Sequence, residues 1–277
     1  MFYDSLILSD EEVFELKQQQ VSGIAVLTPA ESKRLIAKAV AVLPEVQAAL
    51  KKGRVVIAGG TTNAFVAEEL LGVSLSKVHY TAGVISSGEL GVTASEGRIQ
   101  PYILVNGRMV DVRYQDIIRE FEVGDVFIKG ANAIDMYGNA GVIVAGDSGG
   151  TIGTVLPTLL ARGAHLIMPV GLEKLVPSVI EASERCGIGR FKYATGVPVG
   201  LIPVVNGKVV TEIQALEILA GVISTHVASG GVGGSEGAVV LAIEGLEEEV
   251  AEAFELIRSI KGEPALPAPQ MMRRQAQ

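Results

Sequence analysis

Residues 124–177 read GDVFIKGANAIDMYGNAGVIVAGDSGGTIGTVLPTLLARGAHLIMPVGLEKLVP. Three short β-branched runs, two glycine-bearing polar turns and an amphipathic helix follow one another within about one βαβ length. The pattern predicts strands at 125–129 (DVFIK), 141–145 (GVIVA) and 164–168 (AHLIM), with a helix opening at Ser148-Gly149-Gly150-Thr151. Pro157 falls inside that helical pattern and predicts a kink or a late start. The polar groups collect where the strands end, which is the edge on which α/β sheets hold ligands. The stretch therefore reads as half of a ligand cleft.

A second loop of the same chemistry lies upstream. Arg54–Ala58 (RVVIA) reads as a buried strand that runs into Gly59-Gly60-Thr61-Thr62-Asn63. A helix follows, with Phe65, Val66, Leu70 and Leu71 on its apolar face and Gly72 as its stop. Glycines that open a helix leave backbone N–H groups and the positive end of the helix dipole free for an anion. The loop has neither the lysine of a P-loop nor the spacing of a dinucleotide fingerprint, and the same residues also make a tight βα turn with threonine caps. GDSGGT at 146–151 repeats the glycine-plus-hydroxyl pattern ahead of the next helix, so Ser148, Gly149, Gly150 and Thr151 join the candidate anion site.

Between these loops, KGANAIDMYGNAG sets Lys129, Asn132, Asp135 and Asn139 around two turns. Carboxamides there can hydrogen-bond a polyhydroxyl ligand, and Asp135, with Asp147 in the next loop, is the acid/base candidate. Asn and Asp are also plain turn formers. Lys174, on the edge after strand 164–168, can neutralise a phosphate or carboxylate. It reads equally as half of a solvated pair with Glu173. Glu89 and Glu96 sit beside glycines and read as loop acids before acyl carriers. His79, His165 and His226 lack metal-ligand spacing, so no metal site is expected, and no cofactor is named.

The chain has 277 residues, 48% of them apolar, with 33 glycines and no tryptophan. Its mean hydropathy is +0.40. An aliphatic, glycine-rich chain of this length predicts a parallel α/β fold with a large core. A net charge of −8 argues against a nucleic-acid surface. No apolar run reaches membrane-span length, because Arg162, His165 and Glu173 interrupt the best candidate. The opening MFYDSLILSDEE has no basic region, so no signal peptide is expected. Cys186 is the single cysteine, which excludes an intrachain disulfide. The expectation is a cytoplasmic protein without nucleic-acid or membrane partners.

In order, an acidic helix is expected at 9–20, then a helix that starts on Thr28-Pro29-Ala30-Glu31 with a capping box and breaks at Pro44. Val78–Ile85 reads as a strand. Two Asn-Gly hairpins are expected, one at Asn106-Gly107 and one joining Val199–Val205 to Lys208–Val210. Tyr114–Phe121 reads as a short helix, and another opens at Pro177-Ser178. From Glu212 the pattern becomes α-β-β-α, the content of a small ferredoxin-like unit. These elements divide into a Rossmann-like main α/β domain over 1–205 with a hairpin insertion near 98–112, a small α+β domain over 206–262, and a proline-rich tail over 263–277 expected to be disordered.

Together the motifs resemble the superfamily that holds ribose-phosphate isomerases, glucosamine-phosphate deaminases and CoA transferases. Gly59, Gly60, Thr61 and Thr62 match its phosphate loop, and Gly130-Ala131-Asn132-Ala133-Ile134-Asp135 its acidic motif in outline. Gly149-Gly150-Thr151 match its helix-opening glycine run, and Glu173-Lys174-Leu175-Val176 its Lys-Leu-Val turn. The resemblance implies a sheet domain with a small α+β domain near its C-terminus. Asn132 and Ala133 stand where the isomerases carry acids. Ala145, Gly146 and Asp147 lie near the expected lysine, and Thr154 or Val155 near the expected glutamate. The reading is a divergent member without the isomerase catalytic pattern. It binds a small anionic metabolite, a phosphorylated sugar or organic acid, either as an isomerase, transferase or lyase or as a non-catalytic ligand-binding or assembly protein. A homo-oligomer is expected.

Overall fold

Thr28 accepts the Glu31 N–H while the Glu31 side chain accepts the Thr28 N–H at 2.9 Å, so the capping box closes as the sequence predicts. The computed structural model describes residues 20–271. The first elements are β1 (Gln20–Leu27), α1 (Pro29–Val42), α2 (Pro44–Lys51), β2 (Arg54–Ile57) and α3 (Thr61–Leu71). There follow β3 (Gly83–Ser86), β4 (Glu89–Val92), β5 (Tyr102–Val105), β6 (Arg108–Met109) and α4 (Tyr114–Ile117), which runs on as a 3-10 turn. The middle of the chain forms β7 (Val126–Ile128), β8 (Ala133–Ile134), β9 (Ala140–Val144), α5 (Gly150–Arg162), β10 (His165–Pro169) and α6 (Val179–Arg185). Last come β11 (Gly200–Val204), β12 (Lys208–Val210), α7 (Glu212–Ala220), β13 (Ile223–Gly230), β14 (Ala238–Leu246) and α8 (Glu247–Ile260). The protein is mixed α/β. No helix among the described residues is long and apolar enough to cross a membrane.

The main sheet has the order β12-β10-β7-β2-β5-β6, parallel from β12 to β2 and antiparallel beyond. Its short strands are apolar on both faces because both faces are covered. Val55, Ile57, Val126, Ile128 and Ile167 point into one cluster, shared with α1, α3, α7 and α8. Their neighbours Val56, Phe127, Leu166 and Met168 point into the other, shared with α4, α5 and β9. This strict period of two fixes the register, since a one-residue slip would exchange the two cores. An antiparallel sheet, β11-β9-β8, packs on the second side, and another, β1-β14-β13, on the first.

Several expectations change. Val78–Ile85 is not one strand. Residues 77–80 form a turn, and β3 and β4 make a hairpin through Ser87 (φ 52°) and Gly88 (φ 78°). The turn supports α3, because Tyr80 O accepts the Gly60 N–H at 2.7 Å. The Asn106-Gly107 hairpin forms, with φ of 49° and 74°. It extends the main sheet through β5 on β2. Asn206-Gly207 makes no hairpin. Neither residue takes positive φ, and the chain passes from β11, paired with β9, to β12, paired with β10. Pro157 lies inside α5 without delaying its start. The helix expected at 9–20 lies outside the described residues apart from Gln20, which begins β1. Residues 263–271, read as tail, run back to the β3–β4 hairpin, where Gln270 O accepts the Ala94 N–H at 3.2 Å.

Candidate functional site

The parallel strands β2, β7 and β10 release their chains at one edge of the main sheet. From β2 the chain turns through Gly59 and Gly60 into α3. A Cβ at Gly59 would lie 3.0 Å from the Tyr80 carbonyl oxygen, so a side chain there would press on that carbonyl. From β7 it passes to Lys129, whose N–H is held by Ile167 O at 2.9 Å. From β10 it reaches Gly171 and the 3-10 turn Leu172–Lys174. The end of β9 adds the turn that opens α5, whose N-cap Gly149 is left-handed at φ 73°.

These loops enclose a cavity of about 750 Å³, roofed by the β3–β4 hairpin and by Leu266–Pro269. Arg34 clamps the root of the roofing segment, its Nε 2.9 Å from Glu263 Oε2. Gly59, Gly60, Thr61, Thr62, Lys129, Asn132, Gly149, Gly150, Thr151 and Lys174 all line the cavity, so ten of the residues singled out in the sequence converge. Neither α3 nor α5 has a side-chain cap, so both present first-turn N–H groups with the dipole behind them.

The other sequence-predicted residues are elsewhere. Asn63 is fully buried under the loop and ties β2 to β7, its Nδ2 donating to Ala58 O at 2.7 Å and to Ile128 O at 3.1 Å. Asp147 and Ser148 are exposed and do not line the cavity. Asp135 is buried outside it, and its carboxylate accepts the N–H groups of Tyr137, Asn139 and Val179 and the Asn139 amide, each at 3.0 Å. Burial opposes that charge, yet the donors, Asn139 foremost, hold its pKa below the ordinary carboxylate value. An acid with four donors fixed on it organises a turn.

Lys33, from α1, is the lining residue that pattern reading missed. It lies on a helix face that also carries core residues, and helical periodicity cannot mark a lysine on such a face as functional. Its Nζ meets Glu173 Oε1 at 2.9 Å and Pro29 O at 3.0 Å. Lys33, Lys129 and Lys174 are the only ionisable side chains among the described residues that line the cavity. Lys129 Nζ donates to Gly130 O at 3.0 Å and Lys174 Nζ to Ala131 O at 3.1 Å; neither has a carboxylate partner among the described residues. Burial, with Lys174 beside it, brings the Lys129 pKa down to about 8. Burial lowers that of Lys174 as well, with Lys33 adding to the effect against Glu173 and Glu212. Asn132 Oδ1 accepts the Ile143 N–H at 3.0 Å, which anchors the side chain in the cavity wall.

Comparison with known protein families, curated proteins and solved structures finds no match to this chain.

Proposed function

We propose that the cavity binds a small anionic metabolite, a phosphorylated sugar or an organic acid. The observation that carries this reading is that Lys129 and Lys174, without carboxylate partners among the described residues, share one cavity with two uncapped helix N-termini. Partly buried charge without a counter-ion is costly, and a bound anion relieves it while it accepts the free N–H groups. On this reading Gly60, Thr61 and Thr62 hold one end of the ligand, Gly150 and Thr151 approach from the facing loop, and Asn132 bonds a hydroxyl.

The fold arrangement supports the same proposal. Four parallel strands with the loops at their carboxyl edge fit a Rossmann-like main domain. The order α7-β13-β14-α8, joined by β1, fits the ferredoxin-like part of a divergent isomerase–transferase-type protein. The second reading, a binding or assembly protein without turnover, is favoured by the absence of any carboxylate or histidine among the described residues that line the cavity. Exposed Ile24 and Ile223 on the β1-β14-β13 sheet support self-association, which light scattering tests.

Calorimetric titration and thermal shift with inorganic phosphate, sugar phosphates and 2-oxo acids, against sodium chloride at matched ionic strength, test the anion reading. A ligand at about a hundred times its Kd should add about 2.7 kcal/mol of stability. If no anion exceeds the chloride control, the cavity is not an anion site.

A further inference from the structure

We propose that Lys129 is an amine nucleophile that forms an imine with the carbonyl carbon of the anionic ligand. The substrate class is then an anionic carbonyl compound, an open-chain sugar phosphate or a 2-oxo acid. The inference rests on the anion-cleft reading and gives that cleft its chemistry. The ionisable groups lining the cavity among the described residues are three amines, so chemistry there by a titratable side chain is amine chemistry. The three are not equivalent. Lys33 is committed to Glu173 and sits on a helix. Lys174 lies on a 3-10 turn near the Glu173 and Glu212 charges, which work to keep it an ammonium. Lys129 directly follows β7 at the sheet edge, between β2 and β10, with its backbone N–H fixed to Ile167 O. The carbonyl of Gly130 is the only hydrogen-bond partner of its Nζ among the described residues.

Desolvation and a neighbouring cation are the two conditions that free a lysine amine at neutral pH, and Lys129 has both. In the step itself the Nζ lone pair attacks the carbonyl carbon and a C–N bond forms. The C–O bond then breaks, and both protons of the neutral amine leave on the carbonyl oxygen as water. No oxidant or further reactant is needed. The helix N-termini and Lys174 hold the anionic end while the carbonyl reaches Lys129.

Pyridoxal 5′-phosphate, an aldehyde that carries a phosphate, is the probe, with pyridoxal and glyoxylate as the phosphate-free and carboxylate arms. The folded full chain is incubated with each, reduced with borohydride and mapped by peptide mass spectrometry. The expected result is an adduct on Lys129 at least tenfold above that on any exposed lysine. It should rise with pH through about 8, favour the phosphate-bearing probe over pyridoxal, and be lost in Lys129→Arg at an unchanged melting temperature. Labelling spread evenly over surface lysines, or confined to Lys174, overturns the proposal. If Lys129→Arg does not fold, the adduct map of the unsubstituted chain decides alone. A Lys129 adduct with no preference for phosphate or carboxylate over pyridoxal would remove the anion cleft and keep the nucleophile. Saturable phosphate binding with no Lys129 adduct would do the reverse.

Discussion

Glu173 and Glu212 turn their free carboxyl oxygens toward one point beside Gly171: a Cβ there would stand 2.2 Å from Glu173 Oε2 and 3.1 Å from Glu212 Oε1. Both oxygens are buried without a partner among the described residues. Each carboxyl is anchored by its other oxygen, Glu173 by Lys33 Nζ at 2.9 Å and Glu212 by the Leu172 N–H at 2.9 Å. Two carboxylates so placed repel, and protonation of Glu212 relieves the repulsion. Burial, reinforced by Glu173, pushes the Glu212 pKa from 4.5 up to about 7.

A group whose pKa is raised on folding stabilises the fold below its unfolded value, and the contribution disappears as pH climbs to the folded value. Stability should therefore fall between about pH 4.5 and pH 7 by up to about 3 kcal/mol, then level off. Glu212→Gln keeps an acceptor for Leu172 and cannot ionise. Urea unfolding at a series of pH values should show the variant without this slope and more stable than the unsubstituted chain at pH 8. Parallel pH profiles for the two proteins would mean that Glu212 is ionised throughout.

Asp135 has the opposite sign. Its folded pKa lies below the unfolded value of 3.8, so its contribution is full above that value and is lost as pH falls through it toward the lower folded pKa. Asp135→Ala removes the acceptor of four donors, of which the Val179 N–H is buried, and at about 1–3 kcal/mol for a donor left buried the loss should reach about 3 kcal/mol. Because the carboxylate stands outside the cavity, phosphate affinity of the folded variant should stay within about twofold of normal. A large loss of affinity with unchanged stability would return Asp135 to the site.

Much of this was legible because it is local. A capping box, a strand entering a glycine turn and an Asn-Gly hairpin need only a few adjacent residues, and Thr28–Glu31, Ile57–Thr62 and Asn106-Gly107 behave as their chemistry dictates. β1 was not legible. Its outward residues include exposed Ile24 and Val26, which erase the apolar–polar alternation that marks a half-buried strand. Asn206-Gly207 carried a hairpin signature, but the flanking strands found partners in different sheets, which outweighed the turn. Lys129 and Lys174 were visible as residues at strand ends, and Lys33, on a helix, was not. Which of them lacks a counter-ion is a fact of packing, as is the meeting of Glu173 with Glu212 across a gap in sequence.

Gly149 tests how the α5 N-terminus is aimed. At φ 73° a side chain costs about 1–2 kcal/mol, and a Cβ would also stand 2.8 Å from Ile202 Cδ1 and 3.2 Å from Gly153 Cα. Gly149→Ala should lower the unfolding free energy by at least that amount and weaken phosphate binding, because the first-turn N–H groups must tilt to admit the methyl. Destabilisation with unaltered affinity would show that α5 does not contact the ligand.

Lys174 is the lining lysine without a carboxylate partner among the described residues that remains when Lys129 reacts, so its removal should weaken binding and also reach the Lys129 amine through its charge. Lys174→Met keeps most of the stem, removes the Nζ bond to Ala131 O and relieves the cation pressing on Lys129. A charge-assisted hydrogen bond is worth about 1.5–3 kcal/mol, which corresponds to about a ten- to hundredfold loss in phosphate affinity by calorimetry. Because Lys174 is the cation that adds to the effect of burial, the Lys129 pKa should move back toward 10.5. The pH profile of Lys129 imine formation with pyridoxal, the phosphate-free aldehyde, should accordingly shift to higher pH. Weakened phosphate binding with an unmoved profile would place the two amines too far apart to sense each other, and burial alone would then account for the neutral amine at Lys129.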